Sequence, residues 1–261
     1  MVLETELFRT YRRLRANDPT LTILNLCQDD IANNDVSRLS EALTGNTHLV
    51  VMMLTGNLIG DRGATRLALS LLPSSKVQYL YLGKNNIGER GALALSQLTQ
   101  LKILDLRYNS VGCEGAKHLA KLLLDESSSL QSLVLTHNGI QEEGMRRVAE
   151  ALRDNSSLQY LHLAENDCTP AAVYDDFKGV CRVNTTLQSI ALGDDGNTIQ
   201  KLLDLYRLGR KFLLDTGMVP TTAVLSKFAQ EPDLLHYILR GRPEIVCLGV
   251  MHSQVDIELL E

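Results

Sequence analysis

The chain has 261 residues, 44% hydrophobic and 22% charged, which is ample apolar material for a continuous core. Its formal net charge of −5 argues against a general nucleic-acid binder, which needs a basic surface to face phosphates. No apolar run approaches the roughly 18 residues that cross a bilayer, and five scattered cysteines (Cys27, Cys113, Cys168, Cys181, Cys247) behind a start without a secretory pattern read as reduced thiols of a cytoplasmic or nuclear protein.

Residues 1–20 read as an N-terminal cap. Leu3, Leu7, Tyr11 and Leu14 fall near one face of a helix over 3–16, and Arg9, Arg12, Arg13 and Arg15 read as its solvated outer side.

From Leu21 onward a repeat takes over. The string LxxLxLxxN begins at Leu21, Leu49, Val77, Leu101, Leu130 and Leu158, with a truncated seventh copy at Leu187, so the intervals are 28, 28, 24, 29, 28 and 29 residues. Apolar residues hold positions 1, 4 and 6 of each copy. Positions 4 and 6 alternate as a strand requires and so share one face. Position 9 is Asn57, Asn85, Asn109, Asn138 and Asn166, with Asp29 and Asp195 in the end copies. A buried turn leaves backbone N–H and C=O groups without water, and an asparagine amide carries both donors and acceptors for them. Stacked copies are therefore expected to serve the turns above and below. Aspartate, which when ionised can only accept, suits ends with one neighbour and more solvent.

After each turn come an apolar residue, a glycine and a helix: Ile59 and Gly63, Ile87 and Gly91, Val111 and Gly115, Ile140 and Gly144. The glycine is expected to let the turn approach the sheet. Leu67 and Leu71, Leu119 and Leu123, and Val148 and Leu152 lie four apart on the buried side of their helices. The 24-residue third copy is short by about one helical turn, which a helix can lose while keeping its buried face. No copy of strand, turn and helix can bury its apolar face alone, so the copies must stack. Strands sit ~4.8 Å apart and packed helices ~8–10 Å. The fold class is thus α/β: a horseshoe-shaped solenoid over 21–195, six full copies and one truncated, with a parallel inner sheet and outer helices.

The spacing, the Asn turn and the IxxxG helix start resemble the ribonuclease-inhibitor-like subclass of leucine-rich repeats, over Leu21 to about Asp195. Members include sensor domains of innate immune receptors and activators of the GTPase Ran. The resemblance implies binding of another protein, and leaves GTPase activation as an alternative for which this chain is short and its tail, Gln254 to Glu261, only mildly acidic.

Residues 196–246 read as a helical C-terminal cap. Ile199, Leu202, Leu203, Tyr206 and Phe212 suggest one helix; Pro220 opens a second with Val224, Leu225 and Phe228. Pro232 opens a third with Leu234, Leu235, Ile238 and Leu239, ended by Gly241 before Pro243. Around Leu205 to Arg210 the segment faintly resembles a SOCS box, which implies a ubiquitin-ligase adaptor as a further alternative, although the usual cysteine of that box is missing. Residues 247–261 carry no pattern.

No phosphate-binding glycine loop, zinc spacing or nucleophile stands out, so no cofactor, metal or catalysis is expected. Cys113 with His118 supplies only two ligands on one helix. His137, His162 and Glu165 lack a nucleophile or pocket and read as part of a binding surface. Positions 3, 5, 7 and 8 are expected to face solvent on the concave sheet surface. The expected partner-binding residues there are Met53, Tyr79, Tyr81, Ile103, Asp105, Arg107, Tyr108, His137, Tyr160 and His162. Four of the eight tyrosines lie among them, and tyrosine and arginine are the residues of protein-binding hot spots. The expected partner is a protein, not nucleic acid or membrane, bound by a chain monomeric on its own.

Overall fold

A computed structural model describes residues 6–72, 75–193 and 198–214. The chain divides into two compact units, Met1–Ile199 and Gln200–Glu261. The first opens with α1 (Glu6–Arg15) and then alternates strand and helix. In order these are β1 (Ile23–Asn25), α2 (Asn33–Leu43), β2 (Val51–Met53), α3 (Asp61–Leu71), β3 (Tyr79–Tyr81) and α4 (Glu89–Leu95). There follow β4 (Ile103–Asp105), α5 (Gly112–Leu124), β5 (Ser132–Val134), α6 (Glu142–Asp154) and β6 (Tyr160–His162). A short 3-10 turn (Pro170–Val173), α7 (Tyr174–Val183) and β7 (Ser189–Ala191) complete the alternation, and α8 (Thr198–Leu214) follows.

The seven strands form one parallel sheet in sequence order. Each strand occupies positions 3 to 5 of its copy, and the register never slips: Leu80, Leu104, Leu133, Leu161 and Ile190 pair in succession. Leu104, Leu133 and Leu161 are fully buried, as are the neighbouring column at position 6, Leu106, Leu135 and Leu163, and the helix residues Leu67, Leu119, Val148 and Leu152. Burying one such side chain is worth about 1.5–3 kcal/mol, so the stack of columns holds this solenoid together. In the short third copy α4 has seven residues against 11 and 13 in α3 and α5. It still buries Ala92 and Leu95, as a helix that has lost only its last turn should.

The asparagine ladder is present, with a direction. Asn109 donates from Nδ2 to the carbonyls of Leu106 in its own copy and Leu82 in the preceding one, both at 2.9 Å. Its Oδ1 accepts from Ile87 N of the preceding copy at 2.9 Å. Asn57, Asn85, Asn138 and Asn166 likewise reach back one copy. The turns served are therefore the residue's own and the one before it, not those on both sides. Asp29, at the end of the row, is exposed; Asp195 lies outside the described residues.

The glycines at the helix starts serve a different contact from the one expected. A Cβ on Gly91 would lie 2.6 Å from Ile87 Cγ2, 2.8 Å from Asp61 Oδ1 and 3.1 Å from Ala64 Cβ. The close approach is thus to the residue four earlier and to the preceding helix, not to the sheet. Gly63, Gly115 and Gly144 are hemmed in the same way. Through this gap the preceding helix caps the next one. Asn33 Oδ1 accepts from Gly60 N and Gly63 N, Asp61 Oδ1 from Gly88 N and Gly91 N, and Cys113 Sγ from Gln141 N. These acceptors supply the orphan N–H groups of α3, α4 and α6, whose own N-cap residues make no side-chain cap bond.

At the N-terminal end, α1 packs on α2 with Leu14 buried, and Tyr11 Oη donates to the carbonyl of Asp35. Leu3 lies outside the described residues, which start at Glu6. In α8, Ile199, Leu202, Leu203 and Tyr206 are buried as their spacing predicts. The two helices expected at Pro220 and Pro232 and the tail from 247, with Cys247, lie outside the described residues. Among those described, Cys27, Cys113, Cys168 and Cys181 form no disulfide, and no helix is long and apolar enough to cross a membrane.

Candidate interaction surface

Because strands alternate, positions 3 and 5 emerge on the sheet face opposite the core, and parallel register lines them into two rows. One row runs Val51, Tyr79, Ile103, Ser132, Tyr160; the other runs Met53, Tyr81, Asp105, Val134, His162. Met53, Tyr79, Tyr81, Ile103 and His162 are half-buried, and Tyr160 is exposed. Tyr79 and Tyr81 share β3, between Met53 and Ile103 on the adjoining strands. Tyr160 stands three strands away, where its hydroxyl donates to Gln188 Oε1 at 3.1 Å, so the tyrosines do not form one cluster.

Asp105 corrects the expectation that every face position meets solvent. It is 1% exposed, between Tyr81 and Val134 in the register. Its Oδ2 accepts from Arg107 Nε at 2.8 Å and pairs with Nη2 at 2.7 Å, while Oδ1 accepts from Arg107 N at 3.0 Å. A buried carboxylate is tolerated when paired in this way. Asp105 therefore positions Arg107, whose side chain remains half exposed. Room for that stem comes from Gly83, where a Cβ would stand 2.9 Å from Arg107 Cγ.

The rim beyond the strands has the most unusual geometry. Position 8 is held in the left-handed backbone region in six successive copies: Gln28 (φ 61°), Gly56 (76°), Lys84 (52°), Tyr108 (54°), His137 (55°) and Glu165 (56°). Only glycine enters this region freely; other residues do so at a cost of about 1–2 kcal/mol. Three of these side chains also touch in sequence. Lys84 Nζ sits 5.5 Å from the Tyr108 ring centroid, and the Tyr108 and His137 rings lie 4.9 Å apart, tilted by 30°. The spacings are those of a cation–π contact and an offset aromatic pair. His137, Tyr108 and Arg107 are exposed. Among the described residues no hydrogen bond joins His137, His162 and Glu165, and no group of three metal-ligating side chains is assembled.

Sequence reasoning passed over a second asparagine row. Asn155-Ser156-Ser157 and Asn184-Thr185-Thr186 match the glycosylation pattern, but both asparagines are buried. Asn155 Oδ1 accepts from Leu158 N and Asn184 Oδ1 from Leu187 N, each at 2.8 Å, and their amides donate to Leu123 and Leu152 carbonyls. Asn46 does the same for Leu49. The signal was the recurring Asn three residues before a position-1 leucine.

A sequence profile described as "Leucine Rich repeat" matches residues 45–68, 74–96, 97–120 and 126–149. No curated protein sequence matches the chain. Among solved structures, the leiomodin-1 domain described as Actin-Binding Site 2 is 20% identical, with TM-score 0.33, over 79% of this chain and 92% of that one. The C-terminal domain of Caenorhabditis elegans tropomodulin is 14% identical, with TM-score 0.36, over 82% and 100%. An internalin from Listeria monocytogenes is 22% identical, with TM-score 0.35, over 52% of this chain and 32% of its own.

Proposed function

Given that this chain carries leucine-rich repeats of the ribonuclease-inhibitor type, we propose that it binds a protein partner through the open face of its sheet, centred on β3, β4 and the rim that follows β3, β4 and β5. The observation that carries this reading is the rim row. Lys84, Tyr108 and His137 stand where glycine would cost the backbone less, as Gly56 shows in the same row. Costly backbone positions that cluster and keep large exposed side chains point to function. Beside them Arg107 is held by Asp105, and Tyr79, Tyr81, Met53 and Ile103 supply partly exposed apolar surface. An arginine and aromatic centre with polar flanks is the composition of a protein-binding hot spot.

The test separates strain from contact. Tyr108→Gly relieves the left-handed backbone and should leave stability unchanged or raise it by about 1 kcal/mol. Tyr81→Ala with Tyr108→Ala should change stability within about 1 kcal/mol. Both variants should weaken binding to the protein that co-purifies from the native cell, the double change by about 2 kcal/mol or more. A partner whose affinity ignores both tyrosines contradicts the proposal.

A further inference from the structure

The helical side of the repeat stack carries a separate feature. α4 is shorter than its neighbours on both sides, and four leucines outside the core lie on it and on the ends of those neighbours. Leu69 and Leu72 at the end of α3 are 61% and 45% exposed, Leu93 on α4 is 43% exposed, and Leu124 at the end of α5 is 53% exposed. Leu69 and Leu72 are three apart and share a helix face. Single exposed leucines are ordinary; several on adjacent helices make a patch that asks for a cover. α6, in contrast, has no large hydrophobic exposed.

Three arginines flank the leucines, while the exposed acids Glu89 on α4 and Asp125 after Leu124 stand at the edges of the patch. Arg62 and Arg66 lie two turns and one turn before Leu69 on α3, and Arg90 lies one turn before Leu93 on α4, all three exposed. None of them makes an ion pair or side-chain hydrogen bond among the described residues. On α6, by comparison, Arg146 pairs with Glu142 and Asp176, and Arg147 with Glu143 and Glu150. Arg62 and Arg66 are also four apart, a like-charge spacing that disfavours the helix holding it. The one acid in α3, Asp61, is committed to capping α4. No charge partner among the described residues accounts for these cations.

We infer that this surface docks an acidic amphipathic helix of a partner protein. Its apolar ridge lies against Leu69, Leu72 and Leu93, and its carboxylates meet Arg62, Arg66 and Arg90. α4 has seven residues between helices of 11 and 13, so the exposed Leu72 and Leu124 at the ends of α3 and α5 flank a shorter middle helix along which a rod-like partner can lie.

The test uses the full chain and a labelled synthetic peptide of about five helical turns, with leucines on one face and glutamates flanking them. Anisotropy should show salt-sensitive binding, weakened about tenfold by joint Arg62→Ser, Arg66→Ser and Arg90→Ser. The same peptide with lysines for glutamates should not bind. In the unsubstituted chain, methyl resonances of Leu69, Leu72 and Leu93 should shift while those of Val134 on the sheet face stay, a readout independent of how the variant folds. Equal binding of the lysine peptide, an unaffected triple variant, or shifts confined to the sheet face would overturn the inference. So would binding to phosphatidylserine vesicles without peptide binding, or a self-association that Leu69→Ser abolishes while the peptide fails to bind.

Discussion

Replacing Asn109 with alanine removes one rung of the ladder without altering a single apolar contact of the leucine columns. Its consequence can be worked out bond by bond. Leu82 O retains the amide of Asn85, and Leu106 O retains that of Asn138, so each carbonyl loses one of two donors, at about 0.5–1.5 kcal/mol. Ile87 N loses the acceptor Asn109 supplies, in a fully buried residue, and an orphaned buried N–H costs about 1–3 kcal/mol. The sum is about 2–6 kcal/mol, a large part of the 5–15 kcal/mol that stabilises a typical domain. Asn109→Asp should cost more at neutral pH, because an ionised carboxylate cannot donate and would face two carbonyl oxygens now 2.9 Å from Nδ2. It should recover part of that loss as pH falls, since a protonated carboxyl regains a donor. Urea unfolding of the three proteins at pH 7, repeated for the aspartate variant at pH 5, reads all of these quantities. A loss below about 0.5 kcal/mol for the alanine variant, or an aspartate variant as stable as the parent at pH 7, would refute the shared-carbonyl reasoning.

Gly91→Ala should destabilise by about 1–3 kcal/mol, the cost of overpacking, because the new methyl would meet Ile87, Asp61 and Ala64; a thermal midpoint equal to the parent's would contradict the close approach of α3 and α4. The Asp18 carboxyl accepts bonds from Thr20 Oγ1 and N and from Arg13 Nε, which hold it down at about 2, below its usual 3.8. A depressed carboxyl contributes its stability above the usual value and loses it only as pH falls toward about 2. Carbon-13 titration of Asp18 should therefore find its midpoint near 2, and a midpoint at 3.8 or higher would show the latch behind α1 to be absent.

The repeat phase was legible because burial writes itself directly into apolar spacing. Leu104, Leu133 and Leu161 could be placed in one column from their 28- and 29-residue intervals, and the register bears this out. The seven-residue α4 followed from a missing turn's worth of sequence. The direction of the asparagine bonds was not legible, since the residue types permit bonding to either neighbour and only the stacking offset chooses between them. The inter-helix caps were hidden for a related reason. Asn33, Asp61 and Cys113 hold the same position in their copies but differ in type, so no motif marks them. On the sheet face the row positions were correct, while the burial of Asp105 depended on Arg107 folding back over it across Gly83. Left-handed geometry at position 8 leaves no trace where lysine, tyrosine, histidine and glutamate occupy it.

Hydroxyl-radical footprinting of the chain, alone and bound to the protein that co-purifies with it, tests the use of the sheet face most directly. Tyr79, Tyr81, Tyr108 and His137 should all become protected in the complex, while Phe8 and Val183, 51% and 54% exposed on α1 and α7, keep their reactivity. Unchanged reactivity at the three tyrosines and His137 in a saturated complex would contradict the account.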